Sequence, residues 1–110
     1  MVTQLVLAPN VSLRGLQAPL LIGLQALQAI ASKIGIEELV LTSVTDGKHS
    51  VKSLHYVGAA CDIRSKTLAK EQKQALLLAF NSQMGRQFDF IIEDVGLSNE
   101  HFHLEHDEHA

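Results

Sequence analysis

Apolar residues recur at helical spacing in two stretches of the chain. The first stretch, Gln17–Lys33, is followed by Gly35, a residue that commonly ends helices. Its apolar residues are spaced i, i+4, i+7 and i+11, which predicts one buried stripe along a helix. The stripe consists of Leu20, Leu24, Leu27 and Ala31. The second stretch, Thr67–Met84, precedes Gly85 and predicts a second helix.

Shorter stretches have the composition and alternation of β-strands. Four are predicted, at Glu38–Val44, Ala59–Arg64, Gln87–Glu93 and His101–Glu105. The segment Met1–Ala8 is consistent with either a short strand or a loosely attached arm. Two helices and about four strands in this order predict an α+β fold, with both helices packed on a small antiparallel sheet. Because no linker or repeat divides the sequence, we expect residues 1–110 to form a single domain.

The composition fits a folded domain and argues against nucleic acid as the main partner. Hydrophobic residues make up 46% of the 110 positions and aromatic residues only 5%, so we expect an aliphatic core. The formal net charge is −3, whereas a nucleic-acid-binding surface needs an excess of cations. The lone cysteine, Cys61, excludes an internal disulfide and fits a reducing cytoplasm. Strand alternation directs Cys61 away from Asp62, so we expect it to be a small buried hydrophobe.

The N-terminal sequence and the apolar stretches predict cytoplasmic synthesis without a signal peptide and without membrane insertion. Residues 1–10 lack the basic region with which a secretory signal begins. The longest apolar stretch, Pro19–Ile36, is interrupted by polar residues and is too short to span a bilayer.

A ten-residue stretch, Ser53–Asp62, contains a histidine, a carboxylate and a glycine. Ligands of one zinc ion lie about 2.0–2.2 Å from the metal, so a shared ion would draw His55 and Asp62 together. Seven extended steps would separate the two residues by roughly 23 Å, and seven helical steps by about 10 Å. The chain must therefore reverse between them, and Gly58 permits the backbone angles of such a turn.

A second stretch, Asn99–His106, is rich in histidines and carboxylates. On a strand, His101, His103 and Glu105 would share one face. On a regular strand Glu100 and His103 would face opposite sides, so we expect Glu100 to lie in the turn that enters the strand, after Ser98 and Asn99. His101 and Glu105 are therefore alternative ligands or supporting groups beside His103. A ligand histidine commonly donates its second nitrogen to a carboxylate, and the candidate acceptors are Asp46, Glu105 and Asp107.

The first stretch resembles the motif Ser-x-His-x-x-Gly-x-Ala-x-Asp of the zinc D,D-peptidase family. This family includes D-alanyl-D-alanine carboxypeptidases and dipeptidases and phage L-alanyl-D-glutamate endolysins, and it shares its fold with the Hedgehog signalling domain. The matching positions are Ser53, His55, Gly58, Ala60 and Asp62. The family's second motif, Glu-x-x-His with an aromatic residue before the histidine, is matched by Glu100, Phe102 and His103. The resemblance covers roughly residues 41–105.

The resemblance implies a zinc metallopeptidase, a hydrolase that cuts peptide bonds in peptidoglycan stem peptides. Its single Zn²⁺ per chain would be held by His55, Asp62 and His103, and Glu100 would be the catalytic base. The substrate would be peptidoglycan or another peptide containing D-amino acids, cut as by a D,D-carboxypeptidase or an L-Ala-D-Glu endopeptidase. By its small size the chain resembles phage-type members. Such an endolysin would degrade the cell wall after release from the cell or as part of a phage particle.

One catalytic residue of the family is missing from the matching position. Where relatives usually continue Gly-Tyr-Arg, this chain has Val44-Thr45-Asp46, so the arginine that helps to polarise the scissile carbonyl is absent there. Lys48 and Arg64 are the candidate replacements. The full set of candidates for substrate binding or support of the site is Ser53, His49, Tyr56, Lys48, Arg64 and His101.

Two other functions stay open on the sequence. The missing arginine favours a catalytically weak or inactive structural or binding module of a phage particle, in which zinc is a staple that adds folding free energy. The retained Glu100 argues against such a module, because a purely structural metal site has no need of a base. The third function is that of a cytoplasmic D,D-dipeptidase, which shares the chemistry but acts on a free small peptide.

Overall fold

The computed structural model describes residues 2–44 and 59–107. Within these ranges the chain forms two helices and five strands. In chain order they are β1 (Gln4–Leu7), α1 (Ala18–Ile34), β2 (Glu38–Ser43), β3 (Ala60–Arg64), α2 (Lys70–Met84), β4 (Phe88–Glu93) and β5 (His101–His106). No helix in the described ranges is long and apolar enough to cross a membrane.

The five strands form one mixed sheet in the order β1-β2-β3-β5-β4. The predicted α+β class is confirmed, but the sheet is not wholly antiparallel, because β1 and β2 run parallel. Helix α1 connects these two strands. It carries the chain back to the end of the sheet at which β1 begins, as a crossover between parallel strands requires. The other three strand pairs are antiparallel, as the sequence predicts.

The N-terminal segment is a strand and not a loose arm, because polar contacts fix it to the end of α1. The buried Thr3 hydroxyl donates a hydrogen bond of 2.5 Å to the carbonyl oxygen of Ile36. The Thr3 N–H donates to Ser32 Oγ at 2.8 Å, and Gln28 Nε2 donates to the Thr3 carbonyl oxygen at 2.5 Å. These contacts satisfy the polar groups of Thr3 and hold β1 beside β2 at the sheet edge.

Both helices pack on one face of the sheet and enclose the core with it. The four apolar residues of the predicted stripe on α1 are buried there, which confirms the helical spacing. The core is not purely aliphatic, because three of the chain's 4 phenylalanines lie at its centre. The ring centroid of Phe80 on α2 lies 5.1 Å from that of Phe90 on β4, and Phe90 stacks on Phe102 of β5 at 5.0 Å. Phe80, Phe90 and Phe102 are thus concentrated in the interior.

Strands β3 and β5 divide the side chains between two faces. Cys61 and Ile63 point towards the helices with Phe102 and Leu104, and all four are buried. Burial raises the pKa of the Cys61 thiol, as expected for a buried hydrophobe. The residues that alternate with these buried residues along the strands point to the opposite side of the sheet, which we call the polar face. It consists of Ala60, Asp62 and Arg64 on β3, Asp89, Ile91 and Glu93 on β4, and His101, His103 and Glu105 on β5.

Candidate metal centre

Asp62 and His103 meet in the middle of the polar face. They lie directly opposite each other on β3 and β5, and Nδ1 of His103 is 2.9 Å from Oδ1 of Asp62. The two residues belong to separate sequence motifs and are 41 positions apart. Directly opposed residues of antiparallel strands point to the same face, so the register of β3 on β5 creates this contact. The structure therefore brings together two of the three predicted zinc ligands.

A second carboxylate fixes the other side of the His103 ring. Nε2 of His103 lies 2.9 Å from Oε1 of Glu105, which follows two positions later on the same face. The hydrogen bond to Asp62 is the largest influence that raises the pKa of His103 to about 8, while burial opposes the rise and Glu105 adds to it. The metal-free ring is therefore largely protonated at neutral pH, and a metal ion would displace one of its protons.

A second histidine of the polar face, His101, also has acceptors at both ring nitrogens. Its Nδ1 lies 2.7 Å from the Asn99 carbonyl oxygen, and its Nε2 lies 3.2 Å from Glu93 Oε1. Partial burial lowers the pKa of His101. The hydrogen bond to Asn99 and the charges of Asp62 and Glu93 outweigh it and raise the pKa above its ordinary value. The ring is thus held with Nε2 directed at the carboxylates of the polar face.

Three residues on three strands form a group that could hold a metal ion. Asp62, Glu93 and His101 each offer one ligand atom, and these atoms lie within 4.8 Å of one another. Imidazole nitrogens and carboxylate oxygens are ligands that zinc takes in proteins. They also suit other first-row divalent ions, so the donor set fits zinc without singling it out. Asp62 is the common carboxylate, because it belongs to this group and also contacts His103.

The expected base, Glu100, lies on the helix side of the sheet. Its Oε2 accepts hydrogen bonds from Ser65 Oγ at 2.5 Å and from Lys73 Nζ at 2.7 Å, and its Oε1 accepts one from the Gly96 N–H at 3.2 Å. The bonds from Lys73, Ser65 and Gly96, in that order, lower the pKa of Glu100 to about 2. Strand alternation explains the placement, because Glu100 precedes the buried Phe102 by two positions. The structure therefore does not bring Glu100 to Asp62 and His103.

The other predicted site residues divide into those on the polar face and those outside the described ranges. Arg64 lies opposite His101 in the β3–β5 register, so its exposed side chain belongs to the same face. His101 is part of the group that could hold a metal ion. The third predicted ligand, His55, lies outside the described residues. So do the supporting candidates Lys48, His49, Ser53 and Tyr56.

Glu93 is the residue that the sequence prediction missed. The inward positions of Phe88, Phe90 and Ile92 indicate that Glu93 points the other way, but they do not indicate which strand lies beside it. The structure supplies the neighbour, because Glu93 is opposite His101 in the β4–β5 register. For the carboxylate partner of a ligand histidine the sequence offers Asp46, Glu105 and Asp107. The structure places Glu105 beside His103, and Asp46 lies outside the described residues.

Comparison with known proteins does not identify a family for this chain. No family model matches the chain, and no match is found among the curated proteins or the solved structures. What the described residues establish is a potential metal-binding group made of Asp62, Glu93 and His101.

Proposed function

We propose that this protein is a zinc-dependent peptidase that hydrolyses peptide bonds in peptidoglycan stem peptides. The observation that carries the proposal is the contact between Asp62 and His103, at 2.9 Å. These residues come from two distant motifs that resemble the ligand motifs of the zinc D,D-peptidases, and such ligands must converge on one ion. Their convergence on one sheet face supports a metal site built from both motifs.

The chain's own residues have separate tasks in this proposal. Asp62 and His103 would hold the zinc ion together with His55, which lies outside the described residues. A zinc ion bound there would supply Lewis acidity towards the scissile carbonyl. Glu105 holds Nε2 of His103 and thereby fixes the ring with Nδ1 directed at Asp62. The exposed guanidinium of Arg64, on the same face, would bind a carboxylate or carbonyl oxygen of the substrate.

A non-enzymatic function is the second candidate, and one observation favours it. Glu100, the base implied by the resemblance, is engaged by Ser65, Lys73 and Gly96 away from the polar face. A metal ion at the polar face would then join β3, β4 and β5 and contribute folding free energy without catalysis. In this case zinc would raise the melting temperature, and no substrate would be cut.

Mass spectrometry of digested cell wall distinguishes the two functions. Zinc-loaded protein is incubated with purified peptidoglycan of several chemotypes and, separately, with free D-Ala-D-Ala. The variant Asp62→Asn removes the common carboxylate, and His106→Gln is its matched control, since the His106 ring packs on Phe88 on the helix side. We expect the wild type and His106→Gln to release a new stem-peptide fragment that Asp62→Asn does not release.

The negative outcomes are equally informative. Release of alanine from D-Ala-D-Ala without any attack on the wall would identify a dipeptidase of small soluble substrates. The absence of products from every substrate, with one zinc bound per chain, would contradict the peptidase and establish zinc as a structural element.

A further inference from the structure

We propose that Glu93, and not Glu100, is the general base of this site, an assignment that rests on the proposed peptidase function. The resemblance to the zinc peptidases assigns this role to Glu100 by its position in a motif. The geometry of the described residues points to a different carboxylate, one that comes from the neighbouring strand β4.

Glu93 lies where a base of this reaction has to lie. It ends β4 directly opposite His101 on β5, so both side chains are on the polar face. Its Oε1 is 3.2 Å from Nε2 of His101 and 3.9 Å from Nδ1 of His103. Ligand atoms of Asp62 and His101 lie within 4.8 Å of the same carboxylate. A water molecule near the candidate metal ligands would therefore be within hydrogen-bond reach of Glu93.

Glu93 is also the most accessible of the carboxylates that contact histidines on the described part of this face. Its side chain is 44% exposed, compared with 20% for Asp62 and 25% for Glu105. Asp62 is the common metal-binding carboxylate, and Glu105 holds the second nitrogen of His103. Substrate and water can thus approach Glu93 while the other two carboxylates keep their structural contacts.

Glu100 fails the same geometric requirement. Its side chain is only 6% exposed, and both of its oxygens accept hydrogen bonds from the protein. Two of the donors, Ser65 and Lys73, lie on the helix side of the sheet with the buried Phe102. A base must be within hydrogen-bond reach of the proton that it removes. Glu100 would have to leave three donors and cross to the other face to meet this condition.

The proposed step balances as an ordinary hydrolysis. Glu93 accepts a proton from the attacking water while the water oxygen forms a bond to the carbonyl carbon. The carbon–nitrogen bond then breaks, and Glu93 transfers the proton to the leaving amine nitrogen. One water molecule is consumed, nothing is oxidised or reduced, and Glu93 returns to its ionised form.

Two isosteric variants test the assignment. Glu93→Gln and Glu100→Gln are compared with the wild type for kcat on a cleaved stem peptide, for zinc affinity by competition with a chelator, and for melting temperature. Asp89→Asn is the matched control for Glu93→Gln, because Asp89 is an exposed carboxylate on the same face of β4. Activity is expressed per mole of folded, zinc-loaded protein.

We expect Glu93→Gln to lower kcat by about 10²–10⁴-fold, the usual loss when a general base is removed. Its zinc affinity should stay within about threefold of the wild type, well below the 10–100-fold typical of a lost supporting contact. We expect Glu100→Gln to keep most of its kcat. We expect it to melt at a lower temperature than the wild type, since this variant lacks the ion pair between Glu100 and Lys73.

Each of the other outcomes contradicts either the assignment of the base or the proposed peptidase function. An active Glu93→Gln, or an inactive Glu100→Gln that melts normally, would overturn the assignment of the base alone. A Glu93→Gln protein that loses zinc would make Glu93 a metal ligand and also overturn its role as base. A wild-type protein that binds zinc but cuts no substrate would overturn the proposed function itself.

Discussion

Nδ1 of His103 lies 2.9 Å from Oδ1 of Asp62, across two adjacent antiparallel strands, although 41 positions separate the residues in the chain. A protonated imidazole can donate a hydrogen bond from Nδ1 to this carboxylate. A divalent cation would replace that proton between the two side chains. The strand register and the carboxylate of Glu105 hold the ring in its orientation towards Asp62.

The role of Glu105 in orienting His103 leads to the first prediction. Glu105→Gln should lower zinc affinity by about 10–100-fold, because it removes the charge that holds Nε2 of the ligand ring. Zinc affinity is measured by competition with a chromophoric chelator at pH 7. Asp89→Asn is the control, since Asp89 lies opposite Glu105 in the β4–β5 register but is not a member of the group formed by Asp62, Glu93 and His101. Equal affinities of the two variants would contradict the orienting role.

The close approach of Gly23 on α1 to the Phe88 ring on β4 gives a prediction for stability. A Cβ atom on Gly23 would lie 2.5 Å from Cε1 of Phe88. Gly23→Ala gains about 1 kcal/mol of helix propensity, but overpacking of a core costs about 1–3 kcal/mol. We therefore expect a net loss of unfolding free energy in urea titrations. In a Phe88→Leu background the substitution should become neutral or stabilising, and an equal loss in both backgrounds would refute the steric explanation.

The buried carboxylate of Glu100 predicts how stability depends on pH. Hydrogen bonds from Lys73, Ser65 and Gly96 lower its pKa from 4.5 to about 2 in the folded protein. A lowered folded-state pKa means that the ionised group stabilises the fold above pH 4.5 and that this contribution is lost as the pH falls towards 2. The melting temperature of the metal-free wild type should therefore fall through this range.

The variant Glu100→Gln isolates that contribution. It should melt below the wild type at pH 6, and the difference should shrink as the pH is lowered from 4.5 to 2. Scanning calorimetry of both metal-free proteins across this range provides the measurement. A difference that stays constant with pH would show that the ionisation of Glu100 does not stabilise the fold.

Local patterns in the sequence predicted the elements of the fold more fully than their arrangement. The spacing of Leu20, Leu24 and Leu27 identifies the buried side of α1 because a helix repeats its faces within a few residues. The parallel placement of β1 depends instead on contacts of Thr3 with residues 25–33 positions away. No short-range pattern contains that information, so the sequence alone does not decide whether the N-terminal segment is a strand or a loosely attached arm.

The candidate site shows the same division between local and long-range information. The motifs predict Asp62 and His103 as metal ligands from residue type and spacing, and their role as ligands stays a prediction, whereas the structure shows that the two side chains are in contact. The position of Glu93 beside His101 depends on the pairing of β4 with β5. The position of Glu100 depends on Lys73 of α2, 27 positions earlier. The motif identified Glu100 by type and spacing, but the tertiary contacts determine the face to which its carboxylate points.

The most direct test of the proposed metal site is a zinc titration of four metal-free proteins: the wild type, Asp62→Asn, His103→Gln and His106→Gln. Isothermal titration calorimetry gives the stoichiometry and affinity of each. We predict one zinc per wild-type chain, an affinity at least about tenfold lower for Asp62→Asn and His103→Gln, and an unchanged affinity for His106→Gln, which lies on the helix side of β5. Equal zinc affinity in all four proteins would show that Asp62 and His103 do not hold the metal, and it would contradict the proposed zinc site.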